Sequence, residues 1–279
     1  MVKNNLVAPV LKWAGGKRQI VYWILKYVPQ TFTTYYEPFL GGGAVLFALQ
    51  PEKAVVNDIN SELINVYEVI RDNVEELIID LRKHRNEEAY FYATRNLDRD
   101  KERYNRLTPI QRASRMIYLN KTCYNGLFRV NRAGEFNAPF GKYKHPNIVN
   151  EYTLRAVSEY FNRAQITFTC RDFEEVLKGA QEGDFVYLDP PYDPVSATAI
   201  FTGYSRGGFG REEQLRLKKT CEQLNDRGIK FLLSNSATAF IKELYRDYRI
   251  EIIQAKRAIN SVADKRGAIN EVLVMNFKD

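Results

Sequence analysis

Tyr35-Tyr36-Glu37-Pro38-Phe39, running into Leu40-Gly41-Gly42-Gly43 and then the apolar residues 44–49, is the stretch that sets the fold. The aromatic run reads as a strand, the glycines as a loop and residues 44–49 as the start of a helix. A second short strand, Lys53-Ala54-Val55-Val56-Asn57-Asp58, ends in an acid about 16 residues past the glycines, so that the opening reads as a βαβ unit, without the strict G-x-G-x-x-G spacing of a dinucleotide fold. Asn60-Ser61-Glu62 then opens a helix, because Leu63, Val66, Tyr67 and Ile70 recur at helical spacing.

Working outward, residues 165–170, 184–188 and 229–233 read as further strands, separated by helical patterns over 211–225 and 237–245. Two closing strands, 250–254 and 271–277, suit an antiparallel pair at one edge of the sheet. Alternating strands and helices predict an α/β fold with a doubly wound, Rossmann-like, mostly parallel sheet. Residues 62–154 interrupt it as a mostly helical insertion, so that 1–61 and 155–279 form one domain and 62–154 another. Within the insertion, Thr108-Pro109-Ile110-Gln111 carries the N-cap, N1 and N3 residues of a capped helix. The turn-prone Asn131-Arg132-Ala133-Gly134 lies between Leu127-Phe128-Arg129-Val130 and Glu135-Phe136-Asn137, which predicts a β-hairpin that brings Arg129 near Asn137.

Composition narrows the function classes. The 279 residues are 45% hydrophobic and 13% aromatic, enough to build a core and too much for a disordered chain. The apolar runs are short and do not suit a bilayer span, and the opening residues lack a signal-peptide pattern, so a cytoplasmic protein is expected. Three scattered cysteines and two isolated histidines predict a reducing compartment and no metal site. The net charge of +7 is unevenly spread: residues 82–146 hold 15 Lys and Arg against 6 Asp and Glu, and the remainder is slightly acidic. That basic stretch is rich in Tyr, Asn and Phe, side chains that stack on bases or read their edges, and it predicts a nucleic-acid partner.

The sharpest chemical signal is Asp189-Pro190-Pro191-Tyr192 after the strand Phe185-Val186-Tyr187-Leu188, at the strand end where open α/β sheets bind ligands. Two prolines stiffen the loop and remove donors. The Asp189 carboxylate and Pro190 carbonyl could each accept one N–H of an exocyclic amine while Tyr192 stacks on its ring. A strand-end turn with a capping Asp is the plainer reading. The glycine loop with Asp58 suits a nucleoside with ribose hydroxyls, against a simple tight turn. Lys12-Trp13-Ala14-Gly15-Gly16-Lys17 alone reads as a surface loop, and Arg206-Gly207-Gly208-Phe209-Gly210 as a lid or an ordinary loop.

Taken in order, Trp13-Ala14-Gly15-Gly16-Lys17, the glycine loop from Glu37 to Gly43, Asn57-Asp58-Ile59-Asn60 and Asp189-Pro190-Pro191-Tyr192 resemble the Dam-type DNA adenine-N6 methyltransferases. The likeness extends to Tyr124-Asn125-Gly126-Leu127 and to Gly134-Glu135-Phe136-Asn137-Ala138-Pro139-Phe140-Gly141 in the basic segment, where that family carries its target-recognition domain. The resemblance implies a bacterial or phage-encoded enzyme, monomeric in solution, that transfers a methyl group from S-adenosylmethionine to N6 of an adenine flipped out of double-stranded DNA, within GATC. Asp189, Pro190 and Tyr192 would form the catalytic site. Trp13, Lys17, Phe39, Gly41, Asp58, Asp172, Phe173 and Asp189 would bind the cofactor. Lys12, with Tyr143, would read the first guanine, Leu127 and Pro139 the thymine, and Arg129 the guanine of the last pair. Tyr124 would wedge into the vacated step, and Asn125, Asn137 and Lys142 would hold the backbone or the orphaned base. Two competing expectations are methylation of another amino group, cytosine N4 or an RNA base, and a DNA-binding protein that keeps the fold without catalysis.

Overall fold

The structure, a computed structural model, describes residues 3–13, 15–131, 133–195, 209–256 and 268–278. Its strands are β1 (Tyr35–Glu37), β2 (Lys53–Asn57), β3 (Gln165–Thr169), β4 (Phe185–Leu188), β5 (Lys230–Ser236), β6 (Arg249–Lys256) and β7 (Ala268–Met275). They form one sheet in the order β3-β2-β1-β4-β5-β7-β6. The four pairings from β3 to β5 are parallel, whereas β7 pairs antiparallel with both β5 and β6. The expected closing pair is therefore present, with β6 alone at the edge and β7 inside the sheet.

Helices cover both faces. On the first are α1 (Val21–Lys26), α2 (Ala44–Leu49) and α3 (Ser61–Asp72), then α4 (Val74–Leu81), α5 (Glu88–Arg95), α6 (Lys101–Asn105), α7 (Pro109–Thr122) and α8 (Glu151–Arg163) of the middle of the chain. The second carries α9 (Phe173–Leu177), α10 (Arg211–Asp226) and α11 (Ala239–Leu244). Side chains alternate along a strand, so Tyr35, Phe185, Tyr187 and Leu232 enter the first apolar cluster while Tyr36, Val186, Leu188 and Phe231 enter the second. Burial on both faces explains why the central strands read as unbroken apolar runs.

The middle segment is helical, as its sequence predicts. Thr108 and Gln111 form the expected capping box at the start of α7, and Asn60 caps α3 through the Glu62 and Leu63 amides. Ala113, Met116 and Ile117 of α7 share the cluster of Val45, Val56 and Leu63, so the segment is packed onto the sheet face as one continuous core. Residue 154 lies inside α8, which packs on α3, α4 and β3. The hairpin is shorter than its sequence suggests: an antiparallel bridge joins Val130 to Phe136, and the Asn131 amide donates to the Glu135 carbonyl.

Chain direction diverges between β1 and β4, since β1 is followed by its neighbour β2 on one side and β4 by β5 on the other. The loops after β1 and β4 consequently leave the sheet side by side, the topological switch point at which such sheets bind ligands. Buried Asn57 ties the strand ends there: its amide nitrogen donates to the Pro38 and Arg171 carbonyls at 3.0 and 2.9 Å, and its oxygen accepts from the Arg171 amide at 2.9 Å. Because Asn57→Ala leaves the buried Pro38 carbonyl without a partner and removes the tie to the Arg171 backbone, we expect urea unfolding of that variant to show a loss of about 2 kcal/mol.

Candidate active site

Asp189 stands one residue past β4, where burial would penalise a lone carboxylate. Two segments distant in sequence compensate. The Lys17 ammonium lies 2.8 Å from Asp189 Oδ1 and donates to the Gly15 carbonyl at 2.7 Å. Ser234 Oγ, on β5, donates to Asp189 Oδ1 at 3.0 Å and is itself 2.9 Å from the Tyr187 hydroxyl. Burial raises the Asp189 pKa above the usual carboxylate range, and Lys17 and Ser234 oppose that rise.

The rest of the proline loop is clamped as well. Lys17 Nζ sits 4.2 Å from the centroid of the Tyr192 ring, and the Tyr192 hydroxyl donates to Glu271 Oε2 on β7 at 2.9 Å. Gln214 of α10 donates to the Pro191 carbonyl at 2.8 Å, and Asn235 accepts from the Asp193 amide at 3.0 Å. Among the described residues no group donates to the Pro190 carbonyl, which remains an acceptor beside Asp189. The site thus presents two acceptors and an aromatic face around one N–H donor.

Beside it, Gly41 and Gly43 have positive φ, and a Cβ at Gly41 would come 2.8 Å from Trp13 Cδ1. These glycines admit a side chain of the protein itself: Trp13 lies on the loop and stacks on Phe128 with centroids 4.8 Å apart. Asp58 accepts from the Gly41 amide and the Asn60 amide, each at 2.9 Å, so the acid at the end of β2 shapes the loop. Asp172 caps α9 and pairs with Arg216 at 2.6 Å. Phe173 is buried against Phe39 and Phe209, which are both half-buried. Arg206, Gly207 and Gly208 of the expected lid, and Ala14, lie outside the described residues.

A second group of expected residues forms an exposed surface drawn from two parts of the chain. Lys12 is bound through its backbone to the Asn120 side chain at 2.9 and 2.8 Å, and its side chain passes so close to Gly126 that a Cβ there would meet it at 2.5 Å. The Tyr124 amide donates to the Pro139 carbonyl at 2.8 Å. Arg129 Nε donates to Asn137 Oδ1 at 2.7 Å, the proximity the hairpin predicts. Lys12, Tyr124, Arg129, Pro139, Lys142 and Tyr143 are exposed, whereas Asn125 and Leu127 are half-buried.

With this geometry in view, residues 13–259 match the family described as D12 class N6 adenine-specific DNA methyltransferase. The chain belongs to that family. It is 43% identical to the type II methyltransferase M1.LlaDCHI of Lactococcus lactis, covering 99% of this chain and 98% of the relative. It is 41% identical to the type II methyltransferase M.MjaIII of Methanocaldococcus jannaschii, covering 97% and 99%. The DNA adenine methylase of Escherichia coli K12 is 34% identical over 95% of this chain and 94% of its own length. The protein is therefore an adenine-specific DNA methyltransferase, an assignment that favours adenine in DNA over cytosine N4 or an RNA base, and an enzyme over a binding protein. Among the described residues no helix is long and apolar enough to cross a membrane, and no three His, Cys, Asp or Glu side chains gather as a metal site.

In this D12-class enzyme the sequence motifs do not reveal Ser234, Glu271 or Gln214, which hold Asp189, Tyr192 and the proline loop. Polar residues such as Asn are weak strand formers, so the sequence ends this strand at residue 233, whereas β5 continues through buried Ser234-Asn235-Ser236, which meets Asp189 and the Asp193 amide. Glu37 sits behind the site with the Tyr35 hydroxyl donating to it at 2.8 Å. Burial, with Asp189 and Asp58 adding to it against that hydrogen bond, pushes its pKa from 4.5 up to about 8. A carboxyl protonated more readily in the folded state contributes stability that is complete below the unfolded value and lost as pH rises through the folded one. Denaturant unfolding should therefore show the parent losing a few kcal/mol between about pH 4.5 and 8, with Glu37→Gln flattening the profile.

Proposed function

We propose that the enzyme takes its methyl group from S-adenosylmethionine and delivers it to N6 of an adenine flipped out of a GATC site in double-stranded DNA. The observation that carries this reading is the cluster at the end of β4. A cationic N–H donor, Lys17, already rests on Asp189 and over the Tyr192 ring. An exocyclic amine on an aromatic base meets the same groups in the same way: its two N–H bonds point to the Asp189 carboxylate and the Pro190 carbonyl while its ring stacks on Tyr192. Held so, the nitrogen lone pair turns out of conjugation with the ring and toward an electrophile. Asp189 is also the base beside the nitrogen for the proton it sheds on methylation. An internal duplex base reaches such a buried site only by leaving the stack.

The cofactor reading rests on the neighbouring cleft. Trp13 packed on Gly41 and Gly42, the acid Asp58 and the aromatic face of Phe39 suit a nucleoside, with Asp172 and Phe173 at its edge. A sulfonium cation fits surroundings that already accommodate the Lys17 cation beside a carboxylate and a ring. When bound there, the cofactor supplies the electrophilic methyl. Lys17 would exchange its contact with Asp189 for the cofactor's carboxylate, freeing Asp189 for the base.

Residues 62–154 are read as the target-recognition domain, with the exposed surface as its DNA face. Lys12 and Arg129 suit guanine O6 and N7, and Leu127 and Pro139 the thymine methyl. Tyr124 is the wedge, with Asn125, Asn137, Lys142 and Tyr143 on the backbone or the orphaned base. Two duplexes differing only in GATC against GTAC test the reading. Labelled methyl from S-adenosylmethionine should appear in the first alone, on adenine N6. Equal labelling of both would overturn the specificity, and labelling of neither the substrate. Asp189→Ala should abolish transfer while leaving duplex binding within about threefold, since Asp189 lies away from the phosphate contacts that dominate affinity; a retained rate would overturn the mechanism.

A further inference from the structure

Behind the exposed hairpin lies a charged pair that plays no part in the reaction described above. Asp98, in the 3-10 turn Asn96–Arg99, and Arg115 of α7 are both buried, with Arg115 Nη2 2.9 Å from Asp98 Oδ2. The same carboxylate accepts the Phe136 backbone N–H at 2.7 Å and Arg99 Nη1 at 2.9 Å. Arg99 Nη2 in turn donates to the Phe136 carbonyl at 3.0 Å, so one turn grips both polar backbone groups of a hairpin residue. Arg115 is fixed in turn by the Thr94 carbonyl, which accepts from Nε at 2.9 Å, and by the Arg95 carbonyl, which accepts from the same Nη2 at 2.7 Å.

Phe136 is the bridge partner of Val130, and its chain neighbours carry the readout groups: Asn137 holds Arg129, and Pro139 follows. Apolar packing of Phe136 on Phe128, at 5.7 Å, fixes how deep the hairpin sits but is nondirectional. Hydrogen bonds to a rigid carboxylate fix its register along the surface. Buried ion pairs are a poor source of net stability, because apolar residues of similar size replace them at little or no cost. Orientation is what this pair adds.

We propose that Asp98, anchored by Arg115, is a positioning residue for base readout: it sets where Arg129 meets the last base pair without touching DNA. The inference rests on Arg129 reading that pair. Lys12 is anchored independently, through Asn120, so reading of the first pair should not depend on Asp98.

The test compares kcat/KM for the named strand of three duplexes, GATC, GATT and AATC, for the parent, Asp98→Asn, and the double variant Asp98→Leu/Arg115→Met; because GATT on one strand is AATC on the other, the target adenine of the opposite strand already carries its N6-methyl group in each duplex. The double variant replaces both charges together and so leaves no buried charge unpaired. We expect the preference for GATC over GATT to fall about tenfold in both variants, the worth of one well-placed guanine contact. The preference over AATC and kcat on GATC should stay within about threefold of the parent. Preferences lost equally at both positions, or unchanged at the last pair in a folded variant, would overturn the inference while leaving GATC recognition standing. A parent that methylates GATC and GATT alike would overturn the role of Arg129 and this inference with it.

Discussion

Asp189 imposes the constraint around which the molecule is arranged. A carboxylate at the end of a buried parallel strand is costly unless donors meet it. They come from the two ends of the chain: Lys17 from the N-terminal segment and Ser234 from the polar end of β5. Tyr192, three residues on, is held by Lys17 and by Glu271 of β7. The antiparallel closing strands thus belong to the site as much as to the sheet, since β7 carries the partner of Tyr192 and braces the strand that carries Ser234.

The same logic joins the cleft to the surface that faces outward. Trp13 lies between the glycine loop and Phe128, and Phe128 meets Phe136 in the hairpin. A continuous line of rings therefore runs from the loop after β1 to the residues expected to read DNA. Lys12, the next residue along, is pinned to the end of α7 by Asn120. The N-terminal segment is thereby shared between the two sites, with Lys12 exposed on one and Lys17 buried in the other.

Much of this was legible in the sequence because it depends on local pattern. The opening βαβ unit, the capped α7 and the antiparallel closing strands follow from periodicity and turn chemistry, and Asp189 and Asp58 stand at strand ends because apolar runs stop there. What was not legible depends on contacts between distant segments. Ser234 lies beyond the apolar part of β5, in a Ser-Asn-Ser run that reads as a loop. Glu271 sits where a strand residue reads as a solvent-facing charge, and Asp98 lies among other charges in a basic stretch with nothing local to mark its burial. The apolar contacts by which the helices of residues 62–154 pack on one face of the sheet are likewise long-range and leave no local mark.

In the proposed mechanism Asp189 gives up Lys17 and takes the amine of the reacting base in its place. The most direct measurement is a crystal structure of the enzyme with a GATC duplex and a sulfonium analogue that cannot transfer its methyl group. We expect an extrahelical adenine whose N6 lies within hydrogen-bond distance of both Asp189 and the Pro190 carbonyl, its ring on Tyr192, with Lys17 no longer paired to Asp189. An adenine bound in the cleft while the Lys17 to Asp189 contact persists would contradict it.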